Sequence, residues 1–372
     1  MRFLKSTSFL LFLFFFVIKS EAQKSLNYSI EEANSPVSDA LFHSADNSLI
    51  QYHGRIQQTN NMLPRFWSPG VYIESKFKGN TCTVFLNDEV LYGNVHNYIE
   101  IIIDNYLPLR LQTIGRSNAI SIKGLSNGTH NILICKDTES GNGFLEFAGI
   151  LCKKLLPLPS KSHPKIEFIG NSITCGFGAD QSKIPCGKGQ WYDEHNAYMS
   201  YGPLTARALN AEWQITAVSG IGMIHSCCGM KILMPQVYDK TDLRDDSISY
   251  DFNQYIPDLI TICLGQNDGI QDSATFCGVY VNFIKTIRSK YENAKIILLT
   301  SPMADAKLRA ALQNYLASIE NYLKKNGDEN IYHYFFKKQS NHGCGGHPDL
   351  KEHQQISAEL THFIKENHLL RS

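Results

Sequence analysis

The sequence runs to 372 residues, with 35 Lys and Arg against 35 Asp and Glu and 43% apolar side chains. At roughly 150 residues per domain, that is enough chain for about two buried cores. The balanced charge excludes the basic footprint of a nucleic-acid partner, and no charge run, low-complexity tract or internal repeat is present.

The chain opens with Arg2 and Lys5, an unbroken apolar run from Phe9 to Ile18, and small residues at Ser20 and Ala22. A bilayer span needs about 20 apolar residues. Residues 1–22 therefore read as a secretory signal cut after Ala22. No Cys stands at the cleavage point, which argues against a bacterial lipoprotein, and no other stretch is apolar enough to cross a bilayer. The expected mature chain is secreted or periplasmic and free of the membrane after cleavage.

From about Leu49 to Cys152 the pattern is all-β. "VYIESKF", "CTVFLND", "YIEIIID", "AISIKG", "HNILICKD" and "FLEFAGILC" are short runs rich in β-branched and aromatic residues. Turn signals at Lys78-Gly79-Asn80, Asp104-Asn105 and Asn127-Gly128 separate them. Apolar and polar side chains alternate in several runs, as in sheets with one wet face. A β-sandwich or jelly roll over residues 23–155 is the expectation. The Pro-rich segment 156–164 then reads as a linker.

Beyond it, from 165 to 372, the rhythm changes to strand and helix in alternation. "KIEFIG" precedes an amphipathic stretch in "AYMSYGPLTARALNA"; "WQITAVS" and "DLITICLG" follow. Helices are expected over roughly Phe276 to Glu292, Lys307 to Lys325 and from Pro348 onward, with "KIILLT" and "IYHYFF" as strands between them. Such alternation predicts an α/β domain on a parallel sheet, flavodoxin-like in type, with ligands beyond the carboxyl ends of its strands. Ser172, Ser219-Gly220 and Gly265-Asn267 each follow a strand directly and should gather on one edge.

Ten cysteines permit disulfides, but their spacing selects no pairing. Cys82, Cys135, Cys152 and Cys263 sit in strand-like runs as small hydrophobes. Cys175, Cys186, Cys227, Cys228, Cys277 and Cys344 are the better disulfide candidates. No zinc spacing is present. His342 and His353 flank His347, yet no carboxylate is spaced to complete a metal site. No metal and no cofactor are expected.

Acyl transfer needs a nucleophile, a base that takes its proton, and donors aimed at the developing oxyanion. Ser172, in "IEFIGNSITCGFG", offers the hydroxyl and its own N–H; the alternative is a turn-forming Ser. Gly220 in "AVSGIGM" offers a second backbone N–H and Asn267 in "LGQND" an amide. His347, in "GCGGHPDLKEH", offers the base. With Pro348 at the first helical position, His347 is expected at a helix start, where the dipole disfavours a cation, partly opposed by Asp349.

The order of these blocks resembles the SGNH (GDSL-like) hydrolase superfamily. No G-x-S-x-G elbow is present, which argues against an α/β-hydrolase lipase. With an N-terminal β-domain reading "YIEIIIDNYLPLRL" and "GTHNILICKDTESGNGFLEFAGI", the whole is similar to carbohydrate esterase family 2, over nearly all of the mature chain. That resemblance implies an acetylxylan-esterase-like enzyme acting on acetylated polysaccharide or oligosaccharide of the xylan or glucomannan type. It implies Ser172 as nucleophile, His347 as base, and Ser172, Gly220 and Asn267 as the oxyanion hole.

The sequence departs from the pattern in three places: Asn171 for the usual Asp, Gln266 for Thr, and the pair Gly345-Gly346 for the family's Asp-Trp before the His. The last removes the acid that orients the base, so a Ser-His dyad is expected, with the carbonyl of Cys344 or Gly345 as orienter. Trp191 and Tyr192 are candidates to replace the lost sugar-stacking Trp; their alternative is packing beneath the loop. Two other readings are an SGNH esterase or lipase for another acyl group, and a carbohydrate-binding protein with an inactive hydrolase domain.

Overall fold

The structure, a computed structural model, describes residues 23–33, 41–58, 63–159, 163–244 and 247–370. The expected signal segment 1–22 lies outside the described residues. Among the described residues two sheets are present. The first is antiparallel and holds ten strands between Asn27 and Leu156. The second is parallel, holds five, and begins at Lys165.

The organising element of the first sheet is one long strand, Tyr72–Asp88. Its first half pairs with Gly128–Lys136 and its second half with Ser117–Lys123, while Leu145–Leu156 lies along it as well. Alternate side chains such as Ile73, Phe77, Val84 and Leu86 point into a core shared with Ile99, Ile101, Ile120, Ile134 and Phe147. The turn expected at Lys78-Gly79-Asn80 is absent: the strand runs through it, with Gly79 paired to Gly128 and taking the positive φ of 144° there. Two strands the sequence does not announce precede Leu49, Asn27–Glu32 and Phe42–Ser44.

The parallel sheet orders its strands Glu212–Ala217, Lys165–Gly170, Leu259–Cys263, Lys295–Leu299, Ile331–Tyr334. Numbered within the sheet this is 2-1-3-4-5, the flavodoxin order, in which the side to which successive strands are added switches between the first and third strands. Helices Tyr201–Ala208 and Leu350–Glu366 pack together, as do Ser273–Lys290 and Ala306–Lys325. Between Ala217 and Leu259 the connection carries only a single helical turn, Met234–Val237, and a 3-10 turn at Phe252–Gln254.

Two buried arginines from the antiparallel sheet side lock the units together. Arg55 donates to Thr216 Oγ1 (3.1 Å), the carbonyls of Tyr238 and Lys240 (2.6 Å each) and Glu167 Oε1 (3.3 Å), and lies 4.2 Å from the centre of the Tyr250 ring. Arg110 donates to the carbonyls of Asp193 (2.8 Å) and His195 (2.6 Å), and so holds the loop that carries Trp191. Burial, then the neighbouring Asp137, pushes the Glu100 carboxyl beside this cluster up to about 9.

Candidate active site

The first parallel strand, Lys165–Gly170, is buried along most of its length and delivers the chain to Asn171. Asn171 Oδ1 accepts the Ile173 N–H at 3.2 Å and caps a single helical turn, Ser172–Cys175. Asn serves this role as well as Asp, because both side chains present an oxygen to the second or third amide of a helix. Gly176 closes the turn at φ 75°, where a Cβ would strike the Asn196 backbone. Ser172 is thereby fixed at the strand's carboxyl end, 6% exposed and facing a cleft of about 610 Å³.

Across that cleft, His347 Nε2 accepts the Ser172 hydroxyl at 2.8 Å. The other ring nitrogen, Nδ1, donates to the Cys344 carbonyl at 3.2 Å. This pair of partners assigns the neutral tautomer with its proton on Nδ1. Gly345 and Gly346 both adopt the left-handed backbone, at φ 61° and 71°, which an Asp or Trp would enter only with strain. The tight turn that they allow folds Cys344 O back under the imidazole.

The helix expected from Pro348 starts later, at Leu350, with Asp349 as cap in a reciprocal capping box with Glu352. His347 therefore sits in the preceding turn and not at the helix start. Burial is what lowers its pKa, against the raising effect of the Cys344 and Gly345 backbone contacts. The Cys186–Cys344 disulfide pins this same turn, and the other candidate cysteines are free.

Two further loops complete the edge. Gly220 follows the second strand at φ 83°, a conformation that favours glycine, and a Cβ there would crowd Cys227 Sγ at 3.1 Å. Asn267 Nδ2 donates one hydrogen to the Ile221 carbonyl at 2.8 Å, which fixes the amide and leaves its second hydrogen uncommitted. The adjacent Asp268, buried, accepts the N–H groups of Met223, Ile224 and His225 and so fixes the loop after Gly220. Ser172, Gly220, Asn267 and His347 all line the one cleft. If the free Asn267 amide hydrogen serves an oxyanion, Asn267→Ala lowers turnover of an aryl acetate about 10²- to 10³-fold, the usual cost of one such donor; steady-state kinetics beside an unchanged melting curve checks this.

Residues 52–159 match the carbohydrate esterase 2 N-terminal family, and residues 168–335 match the GDSL-like lipase/acylhydrolase family. The chain thus carries a carbohydrate esterase 2 N-terminal domain followed by a GDSL-like hydrolase domain. A cellulase/esterase CelE of Acetivibrio thermocellus is 30% identical over 88% of this chain, which spans 40% of that longer protein's length. An acetylxylan esterase / glucomannan deacetylase of Cellvibrio japonicus is 28% identical over 87% of this chain and 90% of its own. A family two carbohydrate esterase from Clostridium thermocellum, solved in complex with cellohexaose, superposes with a TM-score of 0.78 at 29% identity, covering 86% of this chain and 100% of that one.

The two aromatic candidates separate. Trp191 lines the cleft, 46% exposed, packed on Phe177 and flush against Gly141. Tyr192 turns inward, 3% exposed, and is not in the cleft wall. The flanking histidines also part company with His347. His342 pairs with Glu352 at 2.6 Å, a partner the sequence spacing hides, while His353 is buried and accepts the Tyr201 N–H at 3.1 Å. Three contributors escape a reading of motifs alone: Phe177, whose ring packs 4.4 Å from that of His347, Asp268, and Glu139 from the antiparallel sheet side. Of these only Asp268 carries a local signal, as the acid next to Asn267.

Proposed function

We propose that this chain is an exported serine esterase that removes O-acetyl groups from plant cell-wall polysaccharide or oligosaccharide, xylan or glucomannan in type, through a Ser172–His347 dyad. The carrying observation is the 2.8 Å hydrogen bond between Ser172 Oγ and His347 Nε2, within the reach that nucleophile and base require. Ser172 Oγ attacks the acetyl carbonyl while its proton passes to Nε2. The Ser172 and Gly220 N–H groups and the Asn267 amide hold the oxyanion. The imidazolium then protonates the sugar oxygen as the ester bond breaks, leaving acetyl-Ser172. Water, deprotonated by His347, attacks that ester and acetate departs.

The Cys344 carbonyl takes the place of the orienting carboxylate. It fixes the tautomer but adds less charge stabilisation to the imidazolium than an Asp would. The relatives named as acetylxylan esterases and glucomannan deacetylases support the substrate class. Export rests on the apolar run from Phe9 to Ile18, and a cystine at Cys186–Cys344 fits an oxidising compartment. The mature chain incubated with acetylated xylan and glucomannan is expected to release acetate, and to cleave an aryl acetate faster than the corresponding octanoate. Preference for octanoate would favour another acyl substrate. Glycan binding without any acetate release would favour a binding protein.

A further inference from the structure

The cleft has one wall that the catalytic unit does not supply. Glu139 stands just beyond the strand Gly128–Lys136, in the turn that continues through Ser140–Asn142, and is 1% exposed. Its carboxylate is used on both oxygens. Oε2 accepts the Ser219 N–H at 2.7 Å and a long contact from Cys175 Sγ at 3.8 Å. Oε1 accepts the Ser219 hydroxyl and His195 Nε2, the latter at 3.2 Å. The backbone is held too: Lys136 Nζ, fully buried, donates to the Glu139 carbonyl at 3.1 Å and to Thr138 O at 2.6 Å.

Burial alone would raise this carboxyl's pKa, but the hydrogen bonds from His195 and Ser219 outweigh it and keep the group ionised. A buried carboxylate with four donors around it is a rigid anchor, because each donor would be left unpaired if it moved. What it anchors is Ser219, the residue immediately before Gly220.

We propose that Glu139 is a positioning residue of the ester-cleaving site, reaching across from the antiparallel-sheet unit to fix the Ser219–Gly220 turn so that the Gly220 N–H faces the oxyanion. The inference rests on the esterase reading and extends it: the oxyanion hole is assembled by both units, and the N-terminal one contributes to positioning the catalytic machinery. The geometry requires a carboxylate. An amide offers one oxygen where Ser219 N–H, Ser219 O–H and His195 N–H approach two.

The experiment uses the full mature chain and an aryl acetate, with Glu139→Gln, Ser219→Ala, the double variant, and Ser172→Ala as the floor. Turnover is referred to active sites titrated with an aryl phosphonate and is set beside each variant's melting curve. Glu139→Gln is expected to lower kcat about 10- to 100-fold, part of the 10²- to 10³-fold loss of a whole donor, with KM little changed. Ser219→Ala removes only the hydroxyl link and should lose less. The double variant should lose less than the product of the singles, as residues in one network do. A purely structural Glu139 would lower the melting temperature and the number of titratable sites while leaving kcat per site at the wild-type value in both single variants; that result overturns the proposal. Should Glu139→Gln fail to fold, an unchanged kcat per site in Ser219→Ala overturns it alone. Wild type no faster than Ser172→Ala would instead sink the esterase reading, and this inference with it.

Discussion

Ser172→Ala is expected to reduce kcat on an aryl acetate on the order of 10⁶-fold, His347→Ala by a similar factor, and the double variant by no more than either single, since the proposed nucleophile and base would act as one unit. The fold should survive each change. The hydrogen bond to His347 is the contact that the Ser172 hydroxyl makes, so its loss leaves no other buried group without a partner. The wild-type pH profile carries the base's signature. His347 must be neutral to take the proton, and burial holds its pKa below the ordinary histidine value. Activity should therefore persist as pH falls through about 6.5 and decline only at lower pH, as the imidazole gains its proton. In His347→Ala that limb should vanish. A wild-type limb centred above the ordinary histidine range would show that another group governs the profile.

The second large effect belongs to the disulfide. Cys344 carries both the sulfur bonded to Cys186 and the carbonyl that accepts the His347 Nδ1 proton. The bridge closes a sequence separation of 158 residues, for which chain entropy gives a stabilisation of roughly 5 kcal/mol at most. Replacing both cysteines by Ser retains the main-chain carbonyl but frees the turn that presents it. A melting temperature several degrees lower is expected, with kcat reduced roughly 10- to 100-fold, the scale of a displacement near 1 Å in a reacting group. Reductant should bring the wild type to the same rate. Full kcat after reduction would mean that the Cys344 N–H bond to Gly178 O, at 2.8 Å, holds the orienter unaided.

These effects fall on residues of very different visibility. The parallel sheet is plain in the sequence because its strands are buried on both faces, so "KIEFIG" and "DLITICLG" read as short runs rich in apolar and β-branched residues ended by glycine. Ser172, Gly220 and Asn267 follow from where those runs stop. His347 is visible as a residue but not in its setting. Pro348 suggests a helix start, yet the Asp349–Glu352 capping box is the stronger signal and sets the boundary at Leu350.

Other features leave no local trace. The strand Asn27–Glu32 is mostly exposed and pairs along a single partner, so no burial pattern marks it. Glycine at 79 resembles a turn, although the pairing of Tyr72–Asp88 carries straight through it. Six loop-side cysteines admit many pairings, and only the approach of the Trp191 loop to the His347 turn selects Cys186–Cys344. Glu139 meets Ser219 across 80 residues of sequence and between two sheets, a contact that no periodicity encodes.

The dyad itself is tested most directly by covalent capture. The mature chain is incubated with an aryl phosphonate, digested, and mapped by mass spectrometry, with His347→Ala in parallel. One phosphonyl group per chain on Ser172 is expected, forming at least about 10³-fold more slowly without His347, because an unassisted serine hydroxyl is a weak nucleophile. A phosphonyl group on any other residue, or labelling of Ser172 at the full rate in His347→Ala, would contradict the Ser172–His347 mechanism.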